Sequence, residues 1–365
     1  MTINHSAYLY GIHDANGLEY PGWEIRTEGI GHDPENRGGV NYRDTSHTVI
    51  SRLNNGYGGA GTIPLPQFYD DFARRMRNFV EMSVGCDIWI VGNEMNHSQE
   101  RPEKQPITPE LYGQCYSKCR EQIHSLPGHE NDQVIVGAVA PYNNETKYTG
   151  NLDGNWIVYF QDVLEACGEV DGIALHTYSS SQQQNIIISD AKMGAPFEKL
   201  SSEFRAYQDF MNAVPERLRH TRFYITEANP GARGTPWKNE NTRWVQAAYD
   251  EIVRWNEGHY GQEIRCLALY CWDTRGDGMY INDKPGVHKD FYQAVERGLT
   301  WRPEPPIEPP IPPEPPVEPP AECQFSEDVL RKVLKEELAL LYENLRDAMQ
   351  EEIRRQLDKT VLKAQ

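Results

Sequence analysis

The chain of 365 residues, 38% hydrophobic and 10% aromatic, is long enough for one large globular core plus an appendage. Its formal net charge of -18 argues against a nucleic-acid binder, which needs basic patches facing phosphates. No run of about 18 apolar residues occurs, so no membrane-spanning helix is expected.

Met1 to Tyr10 holds neither the basic nor the apolar stretch of a secretory leader. A cytoplasmic location is therefore expected, with a trimmed leader or another export route as the alternative. The seven cysteines include no zinc-type CxxC pair, so reduced thiols are the default. Cys115 and Cys119, four apart on a predicted helix, are expected to be buried small side chains rather than metal ligands.

In chain order, eight apolar segments have strand character: Ala7–Ile12, Trp23–Gly29, Thr48–Leu53, Cys86–Val91, Gln133–Ala138, Val170–Leu175, Arg222–Thr226 and Ile264–Cys271. Helical periodicity separates several of them, over Leu65–Met82, Thr108–Ser125, Trp156–Ala166, Phe197–Val214 and Thr242–Glu257. Thr108 and Pro109 take the favoured N-cap and N1 places of their helix. Eight strands alternating with helices predict an α/β chain folded as a closed (β/α)8 TIM barrel over residues 1–302, with irregular first and second connections.

Residues 303–322 contain the tract PEPPIEPPIPPEPPVEPP. This composition predicts an extended polyproline II linker, reaching roughly 50–55 Å at about 3.1 Å per residue. Residues 323–365 predict one amphipathic helix, with Leu334, Leu338, Leu341, Leu345, Met349, Ile353 and Leu357 at steps of three or four. Such a helix has no partner in its own chain, so a coiled-coil homo-oligomer is expected, with docking on another protein or on the barrel as the alternative.

Barrels of this kind carry their chemistry at the C-terminal strand ends. Those ends read GIHD (11–14), TEGIGH (27–32), RLNNGY (52–57), IVGNEMNH (90–97), APYN (140–143), LHTY (175–178), ITEAN (225–229) and YCWD (270–273). Glu94 and Glu227 then stand on strands four and seven, facing each other across the mouth. Acetal hydrolysis needs such a pair, one carboxyl protonated to donate to the leaving oxygen and one ionised to attack or activate water. Strand alternation predicts Ile225 and Phe223 pointing inward with Glu227, and Tyr270 inward with Trp272.

Asn93-Glu94 after strand four, Glu227 after strand seven and Trp272 after strand eight resemble the clan A glycoside hydrolases, over about residues 7 to 300. The segments IVGNEMN and FYITEANPG carry the likeness. It implies a retaining double displacement on a β-linked glycan, with Glu94 as acid/base, Glu227 as nucleophile and no cofactor or metal. It also implies Asn93 on the sugar 2-hydroxyl, His176 or Tyr178 against a catalytic carboxylate, and Trp272 under the sugar. Many members keep an arginine near the nucleophile on strand two; the candidates here are Arg26 and Arg52. A nearby guanidinium would keep Glu227 ionised. His13, Glu28, His32, Asn54, His97, Tyr142 and Trp237 are further candidates for lining sugar subsites. Two other readings compete. One is a metal-dependent hydrolase using His13, His32 and His176. The other is a non-catalytic glycan-binding barrel made multivalent by the tail.

Overall fold

The computed structural model describes residues 3–15, 17–231, 236–273 and 278–302, together with helical positions between 331 and 350. The chain divides into two units, residues 1–304 and 305–365.

In the first unit, eight parallel strands close into a barrel in sequence order. They are β1 (Tyr10–His13), β2 (Trp23–Gly29), β3 (Thr48–Asn54), β4 (Ile88–Val91), β5 (Gln133–Val136), β6 (Gly172–Tyr178), β7 (Arg222–Asn229) and β8 (Ile264–Leu269). The described α-helices are α1 (Tyr69–Met82), α2 (Pro109–His124), α3 (Trp156–Cys167), α4 (Ala206–Ala213), α5 (Trp244–Gly258) and α6 (Pro285–Val295). The (β/α)8 expectation therefore holds. As the sequence suggested, the connections after β1 and β2 carry no α-helix among the described residues.

Helix boundaries follow local chemistry. Thr108 accepts from Leu111 N and caps α2 ahead of Pro109. Asn155 accepts from Ile157 N and Val158 N at the start of α3. The helix expected over Phe197–Val214 is confined to Ala206–Ala213. The segment before it is pinned instead by turns, with Asp209 accepting from Ser201 N. The helix α6 was not anticipated.

Trp23, Gln133 and Tyr224 meet in the barrel interior. The Trp23 and Tyr224 rings lie 5.5 Å apart, and the Tyr224 hydroxyl donates to Gln133 Oε1 at 2.8 Å. These residues come from β2, β5 and β7, which are not neighbours in the sheet, so all three side chains point inward. Tyr224 inward means Ile225 and Phe223 face the helices, contrary to the alternation expected for Glu227. The reason is an irregularity in the β6–β7 pairing: Leu175 sits opposite Ile225, but His176 sits opposite Glu227, skipping Thr226. Thr226 is a bulge, and it turns Glu227 into the mouth.

On β2, alternation puts Thr27 inward and Glu24, Arg26 and Glu28 outward, because Thr27 is in register with inward Arg52. Among the described residues, the connections on either side of β2 hold no α-helix. The charges of that outer face satisfy one another: Arg26 Nε lies 2.9 Å from Glu24 Oε1, and His47 Nδ1 lies 3.6 Å from Glu24 Oε2.

The six described cysteines are buried, Cys115 and Cys119 among them, and burial pushes the Cys115 thiol up. Cys323, the proline tract and the ends of the predicted tail helix lie outside the described residues. In the second unit, Leu334, Leu338, Leu345 and Met349 are helical and exposed. No helix is long and apolar enough to cross a membrane among the described residues.

Candidate active site

The strand ends of the barrel converge on two carboxylates. Glu94 leaves β4 through a turn in which Gly92 has φ +70° and Glu94 itself φ +39°. A Cβ on Gly92 would come within 3.1 Å of Thr62 Oγ1, so the chain passes close to the loop after β3. A left-handed non-glycine residue costs on the order of 1–3 kcal/mol, a strain that is commonest at functional positions. Because the strand has ended, both Asn93 and Glu94 reach the site, which strict alternation would forbid.

Glu227 is buried and held from several sides. Arg52 Nη1 donates to Oε1 at 2.5 Å, the Tyr178 hydroxyl donates to Oε2 at 2.9 Å, and His13 Nε2 lies 3.9 Å from Oε1. Burial would raise this carboxyl, but His176, Arg52 and His13 overcome it and hold the group well below the usual carboxylate range. Arg52 also donates to Asn93 Oδ1 at 2.8 Å and, through Nε, to Thr27 Oγ1 at 3.0 Å. The guanidinium is thus fixed on three sides.

Glu94 is tied to the same network. His176 Nδ1 lies 2.8 Å from Glu94 Oε1, and the Tyr178 hydroxyl is 3.3 Å from that oxygen. Tyr178 therefore spans the two carboxylates, and an oxygen of each lies within 4.8 Å of the other. Burial, reinforced by Glu227 and Glu94, pushes the Tyr178 phenol well above its ordinary value, so it remains a donor. The pair opens into a cavity of about 340 Å³ lined by His97, Tyr142, Asn143, Asn229, Tyr270 and Met279, among others.

The remaining predicted residues divide. His13 joins the network through Thr27 Oγ1, 3.3 Å away. Asn54 lies buried beneath it, accepting from Thr62 Oγ1 at 3.3 Å. Tyr142 lines the cavity and donates to Tyr178 O and Glu203 O at 3.1 and 2.8 Å. Arg52, not Arg26, is the inward arginine.

Glu28 stands on the outer face of β2 near Tyr42, whose hydroxyl is 3.5 Å away, and not in the cavity lining. Trp272 also departs from expectation. The strand β8 ends at Leu269, so alternation does not extend to Trp272, whose ring stacks on His288 with centroids 4.9 Å apart. Tyr270 lines the cavity instead, edge-on to His13 at 5.1 Å. Trp237 packs against Trp244 at 5.2 Å and so shields α5.

Sequence reasoning missed Thr27, Thr62 and Glu100, and placed Tyr270 inward without assigning it to the site. Thr27 and Tyr270 were legible as inward members of alternating strands. Thr62 and Glu100 lie in loops whose approach no local pattern records.

Glu94, His176 and Glu227 offer the one set of potential metal-ligand atoms within 4.8 Å among the described residues. They suit a cation poorly, since Arg52 and Tyr178 already occupy both oxygens of Glu227 and a divalent ion would face a fixed guanidinium. The three histidines of the metal-hydrolase reading do not converge. His32 is turned to Asn55, with Nδ1 2.8 Å from Oδ1, and packs on Phe68.

No family model matches the chain, and no curated protein matches its sequence. Among solved structures it is similar to an endo-β-1,3-glucanase of Amycolatopsis mediterranei in complex with laminarihexaose, at 14% identity and a TM-score of 0.44, covering 79% of this chain and 99% of that one. It is similar to a β-glucosidase from Thermotoga maritima at 10% identity and a TM-score of 0.43, covering 73% and 88%. It is also similar to a modular endo-β-1,4-mannanase from Cellulomonas fimi at 13% identity and a TM-score of 0.45, covering 78% and 70%. The barrel assignment rests on the strand pairing itself.

Proposed function

We propose that the protein is a retaining O-glycosyl hydrolase that cleaves a β-linked glycan, with Glu94 as acid/base and Glu227 as nucleophile. The observation that carries this is the carboxylate pair. Oxygens within 4.8 Å suit a direct attack, for which carboxyls stand about 5–5.5 Å apart, better than the roughly 6.5–9.5 Å that leaves room for an intervening water.

Electrostatics divide the roles. Arg52 keeps Glu227 ionised and able to attack the anomeric carbon. Glu94 has no guanidinium beside it, its basic neighbour being the His176 ring with Nδ1 at 2.8 Å, and it is the group assigned to deliver a proton to the leaving oxygen. In the second step Glu94 takes a proton from water, which displaces Glu227 from the sugar. Tyr178 donates to Glu227 and orients it, and the Asn93 amide, anchored by Arg52, can reach a sugar hydroxyl. Replacing Glu227 by alanine should abolish release of reducing ends from aryl glycosides and polysaccharides while leaving the thermal melt intact. Full activity in that variant would sink the mechanism.

The tail is proposed to assemble copies of the chain. Leu334, Leu338, Leu345 and Met349 share a helical stripe and are 58–63% exposed, an apolar face that a second copy would bury.

A further inference from the structure

Beside Glu94, the cavity wall is built by the loops after β4 and β5, and a carboxylate outside the catalytic pair ties the two loops together. Glu145 Oε2 accepts from Ser98 N at 2.7 Å and from Asn143 Nδ2 at 2.8 Å, and Oε1 accepts from the Ser98 hydroxyl at 2.8 Å. Burial would raise this carboxyl, but the bonds from Asn143 and Ser98 outweigh it and hold it down to about 2. Each bond to it is therefore charge-assisted. The same loops are joined a second time. Asn96 Oδ1 accepts from Ala140 N at 2.8 Å, while Asn96 Nδ2 donates to Ala140 O at 3.0 Å. The Thr146 hydroxyl donates to Asn96 O at 2.6 Å, and both residues are buried.

Two polar side chains of these loops line the cavity, His97 and Asn143. His97 N donates to Glu94 O at 2.7 Å, so the ring stands one tight turn from the proton donor. Its Nδ1 accepts from Gln99 N at 3.1 Å and lies 4.0 Å from Glu145 Oε2. With that lone pair used, the neutral ring carries its proton on Nε2, the nitrogen turned away from the loop backbone. Asn143 Oδ1 accepts from Glu145 N at 3.1 Å, and one Nδ2 hydrogen goes to Glu145. Among the described residues, each side chain thus has one N–H that its own loops do not use. Glu94 gives its proton to the oxygen that stays with the departing group, so the wall shared with Glu94 faces that group.

We propose that Glu145 is a positioning residue that fixes His97 and Asn143 as hydrogen-bond donors to the leaving group, and that this group is itself a hydroxylated sugar; this rests on the glycosidase reading above. A sugar has acceptors for both N–H groups, and an apolar aglycone has none. In the second step the same place receives the attacking hydroxyl. Water, or a sugar seated where the leaving group was, gives its proton to Glu94 while its oxygen bonds the anomeric carbon and the bond to Glu227 breaks.

The test uses the full chain and that competition. Nitrophenyl β-oligosaccharides load the enzyme, free disaccharide of the same glycan is added, and the ratio of transfer product to hydrolysis product is measured by chromatography. Both products come from one glycosyl-enzyme and use Glu94 as base. The ratio therefore reports sugar binding at the leaving-group position, and neither the strength of the catalytic pair nor the amount of folded protein moves it. The wild type should form transfer product. His97→Ala should lower the ratio about tenfold, the upper end for one hydrogen bond between neutral groups. His97→Gln, which keeps an N–H near the place of Nε2, should recover most of it. Glu145→Ala, which frees both donors, should lower it by about as much as His97→Ala. An unchanged ratio in His97→Ala, or a wild type that hydrolyses and never transfers, would overturn the leaving-group site and leave the glycosidase reading standing. An unchanged ratio in Glu145→Ala would overturn its positioning role. No cleavage of any of these substrates by the wild type would overturn the glycosidase reading as well.

Discussion

At the scale of single residues, the proposed chemistry turns on the groups that keep Glu227 charged, His176, Arg52 and His13. A buried carboxylate with no cation beside it takes up a proton and stops being a nucleophile. Arg52 lies 2.5 Å from Glu227 and favours the charged form, so removing it must raise the Glu227 pKa. Arg52→Met should therefore move the acid limb of the kcat/KM profile to higher pH, by about 1–3 pH units. Arg52→Lys keeps a charge without the planar fork and should move it less. An unmoved limb in Arg52→Met would show that another group controls the ionisation. Glu94, Glu227, Asn93, His176 and Tyr178 were legible in the sequence because each lies at the C-terminal end of an apolar strand or just past it, where polar side chains have no packing role. Tyr270 was harder, because Trp272 two residues on has the larger ring and drew the assignment; in the structure that ring lies on His288.

At the scale of elements, the lesson lies in β7. Eight strands could be placed from apolar runs alone, and β2 could be read residue by residue, since Trp23, Ile25 and Thr27 alternate with Glu24, Arg26 and Glu28. That same pattern should have placed Glu28 on the outer face. Along β7 alternation failed, because Thr226 has no partner on β6. A bulge is a property of a pair of strands, and one strand's sequence does not contain it. Glu227 was found by its position after an apolar run, while the side chains below it were assigned to the wrong face. The helix α6 was legible in principle. Pro285 sits in its first turn, and Val287, Phe291 and Ala294 recur at helical spacing and are buried.

At the scale of the whole molecule, the barrel unit is followed by a proline-rich tract and a segment with helical positions between 331 and 350, and the two units are proposed to do different work. Deleting residues 303–365 should reduce the mass by light scattering to that of a monomer while leaving kcat on a small substrate intact. An unchanged assembly would show that the tail does not hold the copies together. The proposed mechanism makes a stereochemical commitment. Two carboxylates close enough for direct attack require two inversions at the anomeric carbon, and so net retention. Proton NMR of the sugar released in the first moments of hydrolysis measures this directly. The β-anomer should form first and then mutarotate. The α-anomer appearing first would contradict Glu227 as nucleophile and require a water between the two glutamates.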